Sequence, residues 1–396
     1  MRASRVAILA AVVWIVGCGP KVTPIGPGFV YQPNAREQRL WDSSKEMSTS
    51  MQGGGAIYHN PELQAYVQSV LHRVLGQNEK AYIPLEPRVI LFDCPAMNAF
   101  TLPQGDIYVH TGILGRMRSE AQLAMLLGHE VTHATHRHSY QETEERYATT
   151  GTNSYIAVIS AVGGRNIHSL MSGLSQVVML AAVSGYSRDK EEEADKVGLT
   201  LIAQAGYDPS EGAKMFEGMV EGADKDEKWN FFYSDHPKME SRVRCCKQLL
   251  SRLPPALVAQ AKDMGRDRYL DKTIALIHQE VRHHVAQGKY VVAEKTLTYL
   301  ADARPTDATT FALLGDLYRA RAGLGDGPKA KEAYQKALEV DNRRPDAHKG
   351  LGYALARDGD KAPAVEHLNA FLQLSPTAAD VPYVRDYVSR LSQGAK

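Results

Sequence analysis

The stretch "LLGHEVTHATHRH", Leu126 to His138, holds four of the chain's 14 histidines, at 129, 133, 136 and 138. His129 and His133 belong to an HExxH unit, "HEVTH". On a helix, residues four apart differ by about 40° around the axis and lie one turn apart along it. Both imidazoles therefore project from one face toward a single ion. Glu130, beside them, can take a proton from a water on that ion rather than bind it. This is the residue set of metal-assisted hydrolysis. A catalytic zinc takes three protein ligands and keeps one position open, so a third ligand is needed. The metzincin pattern requires Gly at 136 and His at 139, where this chain has His136 and Ser139. A Glu from a second helix is the other common solution, and "GYSRDKEEEADKVG" (185–198) lies downstream. His136 and His138 do not share the face of His129 and His133 on a continued helix, and read as solvated or helix-packing residues.

The elements that carry these residues are legible from periodicity. A helical pattern runs from about residue 36 to 86, with Leu63, Tyr66, Val67, Val70 and Leu71 on one face. "RVILFD" (88–93) reads as a strand, and "GDIYVHTGIL" (105–114) as a second strand running toward a helix. The histidine stretch ends a helix over 120–139, and a further helix spans 190–206 with Gly206 as its C-cap. Residues 155–186 are apolar but rich in Ala, Gly and Ser, without the ~18 uninterrupted apolar residues of a membrane span. They read as buried helices or a cover over a cleft.

The last third of the chain changes character. Gly288, Gly325 and Gly359 are each followed five positions later by Ala293, Ala330 and Ala364, and four further on by Leu297, Tyr334 and Leu368. The glycines are spaced 37 and 34 residues apart, the helix–turn–helix period of tetratricopeptide repeats. Gly permits the tight turn, Ala lets paired helices approach, and the large residue fills the gap between them. So short an array leans on the preceding domain to close its core.

Four stretches carry a family resemblance. They are "NAFTLPQGDIYVHTGIL" (98–114), "HEVTH" with Arg137 and His138 after it, "YSRDKEEEAD" (186–195) and "DHPKMESR" (235–242). Their order and spacing over residues ~55–250 resemble the zinc endopeptidases of the HtpX, prenyl-protein protease and BepA type, peptidase family M48. The resemblance implies a mainly α fold: an HExxH (gluzincin-type) metalloprotease domain with a small β-sheet, followed by the helical repeats. It implies one Zn²⁺ per chain, with Glu191 joining His129 and His133 as ligand. Asp195, one turn after Glu191, supports a zinc histidine. Arg242 stabilises the oxyanion or grips a substrate carbonyl. His236 is an inhibitory fourth ligand or a substrate-side donor. With the ion held, Glu130 accepts the proton of the attacking water and returns it to the leaving amine. Asp106, Ile107, Tyr108 and Val109 are expected to form an edge strand that pairs with an extended, unfolded substrate by β-augmentation.

The N-terminus reads as a targeting segment. "MRASR" is basic, "VAILAAVVWIV" is an apolar core of 11 residues, and Cys18 ends a lipobox-like "IVGCG". Residues 1–17 are thus expected as signal peptide and 18–35 as lipidated cysteine and Pro/Gly-rich tether. The metalloprotease domain is expected over 36–265 and the repeats over 266–396. Gly19 after the cysteine favours the outer membrane. Export makes the compartment oxidising, leaving Cys94, Cys245 and Cys246 with at most one disulfide among them. With 46 basic against 45 acidic side chains, nothing points to nucleic acid. The expected function is a lipid-anchored periplasmic endopeptidase for unfolded or misassembled envelope proteins, with outer-membrane assembly machinery met through the repeats. The alternative is a repeat-based chaperone or scaffold whose zinc site is held latent by His236.

Overall fold

The structure is a computed structural model that describes residues 22–26, 30–76, 84–145, 186–221 and 239–393. Capping residues fix where its first helices begin. The Asn34 side chain accepts from the N–H groups of Arg36 and Glu37 and opens α1 (Ala35–Gly53). The Asn60 side chain accepts from Leu63 N–H and, with Pro61 at the first helical position, opens α2 (Pro61–Leu75). The single helical stretch expected over 36–86 is thus two helices, broken at the glycines that follow Met51. Residues 22–26, within the expected tether, include a packed side chain. Ile25 is 1% exposed and its N–H donates to Thr135 O at 2.7 Å.

Strands β1 (Arg88–Phe92), β2 (Ala99–Thr101) and β3 (Asp106–His110) form one sheet in the order β1-β3-β2. β1 runs parallel to β3, and β2 antiparallel to it. This corrects the expectation for Asp106, Ile107, Tyr108 and Val109: they lie on the central strand, not at an edge. All five β3 residues are buried. The polar side is covered by α1. Asp106 accepts from Arg88, Gln104 and Ser48, and Ser48 also meets the Tyr108 hydroxyl at 2.9 Å. Buried polar groups survive there because they are paired.

After a helical turn, α3 (Thr111–Leu114), the chain enters α4 (Glu120–Thr135), capped by Ser119 and buried on every face. Packed around it are α2, α5 (Arg188–Gln204), α6 (Ser210–Glu221) and α7 (Met239–Arg252), ahead of the short α8 (Pro255–Gln260). α9 (Arg266–Ala286) has two buried faces. Tyr269 and Leu276 enter the core around α4, while Leu270, Ile277 and Val281 enter the core of the repeats.

The remaining helices are α10 (Tyr290–Ala303), α11 (Ala308–Arg321), α12 (Asp326–Val340), α13 (Pro345–Asp358), α14 (Lys361–Leu374) and α15 (Val381–Gln393). Gly288, Gly325 and Gly359 adopt φ of +76°, +83° and +93°, the left-handed turns expected of them. Ala293, Leu297, Ala330, Tyr334, Ala364 and Leu368 are all buried. The fold is therefore mainly α, a helical domain with a small sheet followed by repeat helices. Among the described residues no helix is long and apolar enough to cross a membrane.

Candidate metal centre

The site is built where α4 and α5 cross at two glycines. A Cβ on Gly198 would stand 2.9 Å from His129 N and 3.1 Å from the Gly128 carbonyl carbon. Only glycine lets the backbones touch. The contact sets Glu191, about two turns earlier on α5, beside the α4 histidines.

His129 Nε2 and His133 Nε2 lie 3.0 Å apart. Glu191 Oε2 is 3.5 Å from the first, and Glu191 Oε1 is 3.6 Å from the second. All three residues are buried. A tetrahedral zinc with bonds of ~2.0–2.1 Å separates its ligand atoms by roughly 3.3 Å, and this triangle has that size. Two imidazoles and one carboxylate, with no thiolate, are also the donors of catalytic rather than structural zinc sites. The residues fit a divalent ion.

Glu130 is buried next to His129. The Thr101 hydroxyl on β2 lies 2.9 Å from both its carbonyl oxygen and its carboxylate Oε2. β2 ends the sheet and is the strand that meets this part of α4. Asn98 and Leu102 bond to β3, so in an antiparallel ladder the backbone groups of Ala99 and Thr101 point the other way.

Asp195 Oδ1 lies 3.0 Å from His129 Nδ1. Arg242 grips the same carboxylate, Nη2 to Oδ1 at 2.6 Å and Nε to Oδ2 at 3.1 Å. Burial alone would raise the Asp195 carboxyl, but the Arg242 charge and the His129 bond outweigh it and hold the group below its ordinary range. Arg242 Nη1 is 3.6 Å from Glu191 Oε2, and the guanidinium lies over the Phe216 ring at 4.1 Å. The arginine expected to stabilise the oxyanion or grip a substrate carbonyl is thus engaged with two acids of the site.

His138 differs from its expectation. It is fully buried, with Nδ1 2.8 Å from His133 Nδ1 and Nε2 3.3 Å from Glu193 Oε2. The helical-wheel reading failed because the helix stops. α4 ends at Thr135, Arg137 takes φ +59°, and a new helical stretch begins at 138. The turn swings His138 back under His133. His136 remains a packing residue, with Nε2 3.9 Å from Glu193. Tyr186 stacks on His133 with ring centroids 4.0 Å apart.

The structure thus brings together His129, Glu130, His133, Glu191, Asp195 and Arg242. His236, Cys18 and nearly all of the 155–186 segment lie outside the described residues. Cys94, Cys245 and Cys246 are free thiols. Sequence reasoning missed Thr101, Tyr186, Glu193 and the contact of His138. The stretches "NAFT" and "YSRDKEEEAD" and the Arg137–His138 pair were the available signals.

Residues 61–249 match the model of Peptidase family M48, and residues 316–379 match a tetratricopeptide repeat. The beta-barrel assembly-enhancing protease of Escherichia coli O157:H7 is 23% identical over 359 residues, covering 81% of this chain and 70% of that protein. The mitochondrial metalloendopeptidase OMA1 of Schizosaccharomyces pombe is 32% identical over 197 residues, 49% of this chain and 54% of that protein. The Homo sapiens metalloendopeptidase OMA1 is 31% identical over 166 residues, 40% of this chain and 31% of that protein.

Proposed function

We propose, from the premise that the chain carries a peptidase family M48 metalloendopeptidase domain followed by tetratricopeptide repeats, that it is a zinc endopeptidase acting on unfolded or misassembled proteins of the cell envelope. The observation that carries the chemistry is the buried His129–His133–Glu191 triangle with Glu130 beside it.

His129, His133 and Glu191 would hold the ion, which supplies Lewis acidity and brings the pKa of a water toward ~7. Glu130 takes the proton of the attacking water on its carboxylate and delivers it to the leaving amine nitrogen. The Thr101 hydroxyl holds that carboxylate in place. Asp195 orients His129, and Arg242 holds Asp195 and Glu191, which we favour over an oxyanion role because of its paired bonds to Asp195. His236 keeps the role its motif suggests, a brake on the open position or a donor to substrate. The outward backbone of β2, beside Glu130, is the edge on which an extended substrate would lie.

The signal-like core and Cys18 support a lipid anchor on the periplasmic side, in the outer membrane. Similarity to a beta-barrel assembly-enhancing protease supports outer-membrane protein assembly as the setting, with the repeats meeting that machinery.

The test uses the protein lacking residues 1–18, as wild type and as Glu130→Gln, assayed for bound zinc and for casein cleavage. Zinc in both with cleavage only in wild type is the expected result. Cleavage by Glu130→Gln would remove Glu130 from the mechanism. Zinc in both with cleavage in neither would favour the latent, scaffold-type reading, and His236 would be changed next.

A further inference from the structure

We propose that His138 and Glu193 form a relay that orients the metal ligand His133. The proposal rests on the reading of His129, His133 and Glu191 as the ligands. It gives the two histidine ligands different supports: a carboxylate for His129, an imidazole backed by a carboxylate for His133.

The proton positions follow from the geometry. His133 turns Nε2 toward His129 and Glu191. A nitrogen that binds a metal offers its lone pair, so the His133 proton sits on Nδ1. That N–H points at His138 Nδ1, 2.8 Å away, which must then be the acceptor. An imidazole that accepts at Nδ1 carries its proton on Nε2. His138 Nε2 faces Glu193 Oε2 at 3.3 Å, an acceptor in the right place. One tautomer assignment satisfies every contact in the chain.

The surroundings hold this arrangement rigid. His138 has no exposed surface. Tyr186 stacks on His133 at an interplanar angle of 15°, and its hydroxyl meets Ser139 Oγ at 2.7 Å, so the residue after His138 fixes the ring that sets the plane of His133. Arg137 makes the turn that aims His138. Its guanidinium is pinned by the fully buried Glu37, Nε to Oε1 at 2.7 Å and Nη2 to Oε2 at 2.5 Å, and it packs over the Tyr31 ring. Glu193 is about half exposed, so its share of the orienting energy is the smaller one. His138 touches neither ion nor substrate; it is a positioning residue.

The experiment measures zinc affinity of the full-length protein by competition with a chelator, alongside the melting temperature of the metal-free form. His138→Leu is expected to weaken zinc binding about 10–100-fold. His138→Asn places an amide oxygen where Nδ1 stood and is expected to recover most of that loss. Glu193→Gln is expected to weaken binding by less than His138→Leu. Wild-type affinity in a folded His138→Leu protein overturns the relay. Should that variant fail to fold, Glu193→Gln decides, and unchanged affinity there overturns it. His133→Ala is the control on the underlying reading. If His133→Ala binds zinc like wild type, the ligand assignment itself fails; if it loses zinc while the His138 and Glu193 variants do not, only the relay fails.

Discussion

Asp195 sits between a metal ligand and a guanidinium, so its removal has two separable consequences. Asp195→Ala deprives His129 of the carboxylate on Nδ1 and leaves Arg242 buried without its main partner. We expect zinc affinity to fall about 10–100-fold and stability to fall by about 3–5 kcal/mol, the range for breaking a buried charge pair. Asp195→Asn keeps the shape and one acceptor and should lose less of both. Chelator competition and denaturant unfolding of the two variants read the effects independently, and equal losses in both variants would show that the negative charge alone, not the shape and acceptor that the amide keeps, carries both effects. Glu130 behaves oppositely, because it carries a proton from the water to the leaving amine and makes no bond to the ion. Glu130→Gln is expected to leave zinc content unchanged and to lower kcat by about 10²–10⁴-fold. A kcat within a few-fold of wild type would show that another base does the work.

At the scale of elements, the Gly128–Gly198 contact decides whether two helices can present one site. Gly198→Ala puts a Cβ against the backbone of α4, which cannot rotate away as a side chain would. We expect a loss of about 1–3 kcal/mol together with weaker zinc binding, because the helices carrying Glu191 and His129 must separate. A variant that loses stability but binds zinc normally would show that the spacing is not tuned to the ion. In the repeats the same logic runs through Tyr334. A Cβ on Gly350 would stand 2.3 Å from its ring, so Gly350→Ala is expected to cost about 1–3 kcal/mol of stability, read by thermal unfolding. These notches explain what was legible in the sequence. Gly288, Ala293 and Leu297 and their counterparts repeat because each turn poses the same packing problem. HExxH likewise announced itself through helical spacing. What failed was information set by neighbours far along the chain. β2 has three residues, too few for a period, yet its pairing with β3 opposite β1 is what makes β3 central, and the polar side of β3 is buried because α1 supplies Ser48 to it. His138 escaped because one left-handed residue, Arg137, ended the helix on which its position was being counted.

At the scale of the whole molecule, α9 contributes side chains to the cores of both the catalytic and the repeat regions, and a buried carboxylate at the start of α4 bonds to it. Glu120, 5% exposed at its side chain, accepts from Tyr207 at 2.8 Å and from Arg268 of α9 at 2.9 Å on Oε1, and from Tyr66 at 2.9 Å on Oε2. Arg268 and Arg73 also share Asp263. Burial would raise the Glu120 carboxyl, but the bonds from Arg268, Tyr207 and Tyr66 outweigh it and lower the group below its ordinary value of 4.5. A carboxyl lowered on folding contributes stability that is fully present above its unfolded value and is lost as pH falls through its folded one. Wild type should therefore hold an advantage over Glu120→Gln at about pH 6 that shrinks steadily below about pH 4.5, since the protonated carboxylic acid and the amide then carry the same charge. Other acids titrate in that window in both proteins, so the difference in melting temperature between them isolates Glu120. Arg268→Ala should lower stability by only about 1–2 kcal/mol, because Arg268 is half exposed and Tyr66, Tyr207 and Arg73 remain. A gap between wild type and Glu120→Gln that stays constant down to about pH 3.5 would mean the carboxylate does not hold the two regions together by its charge, and that the apolar faces of α9 suffice.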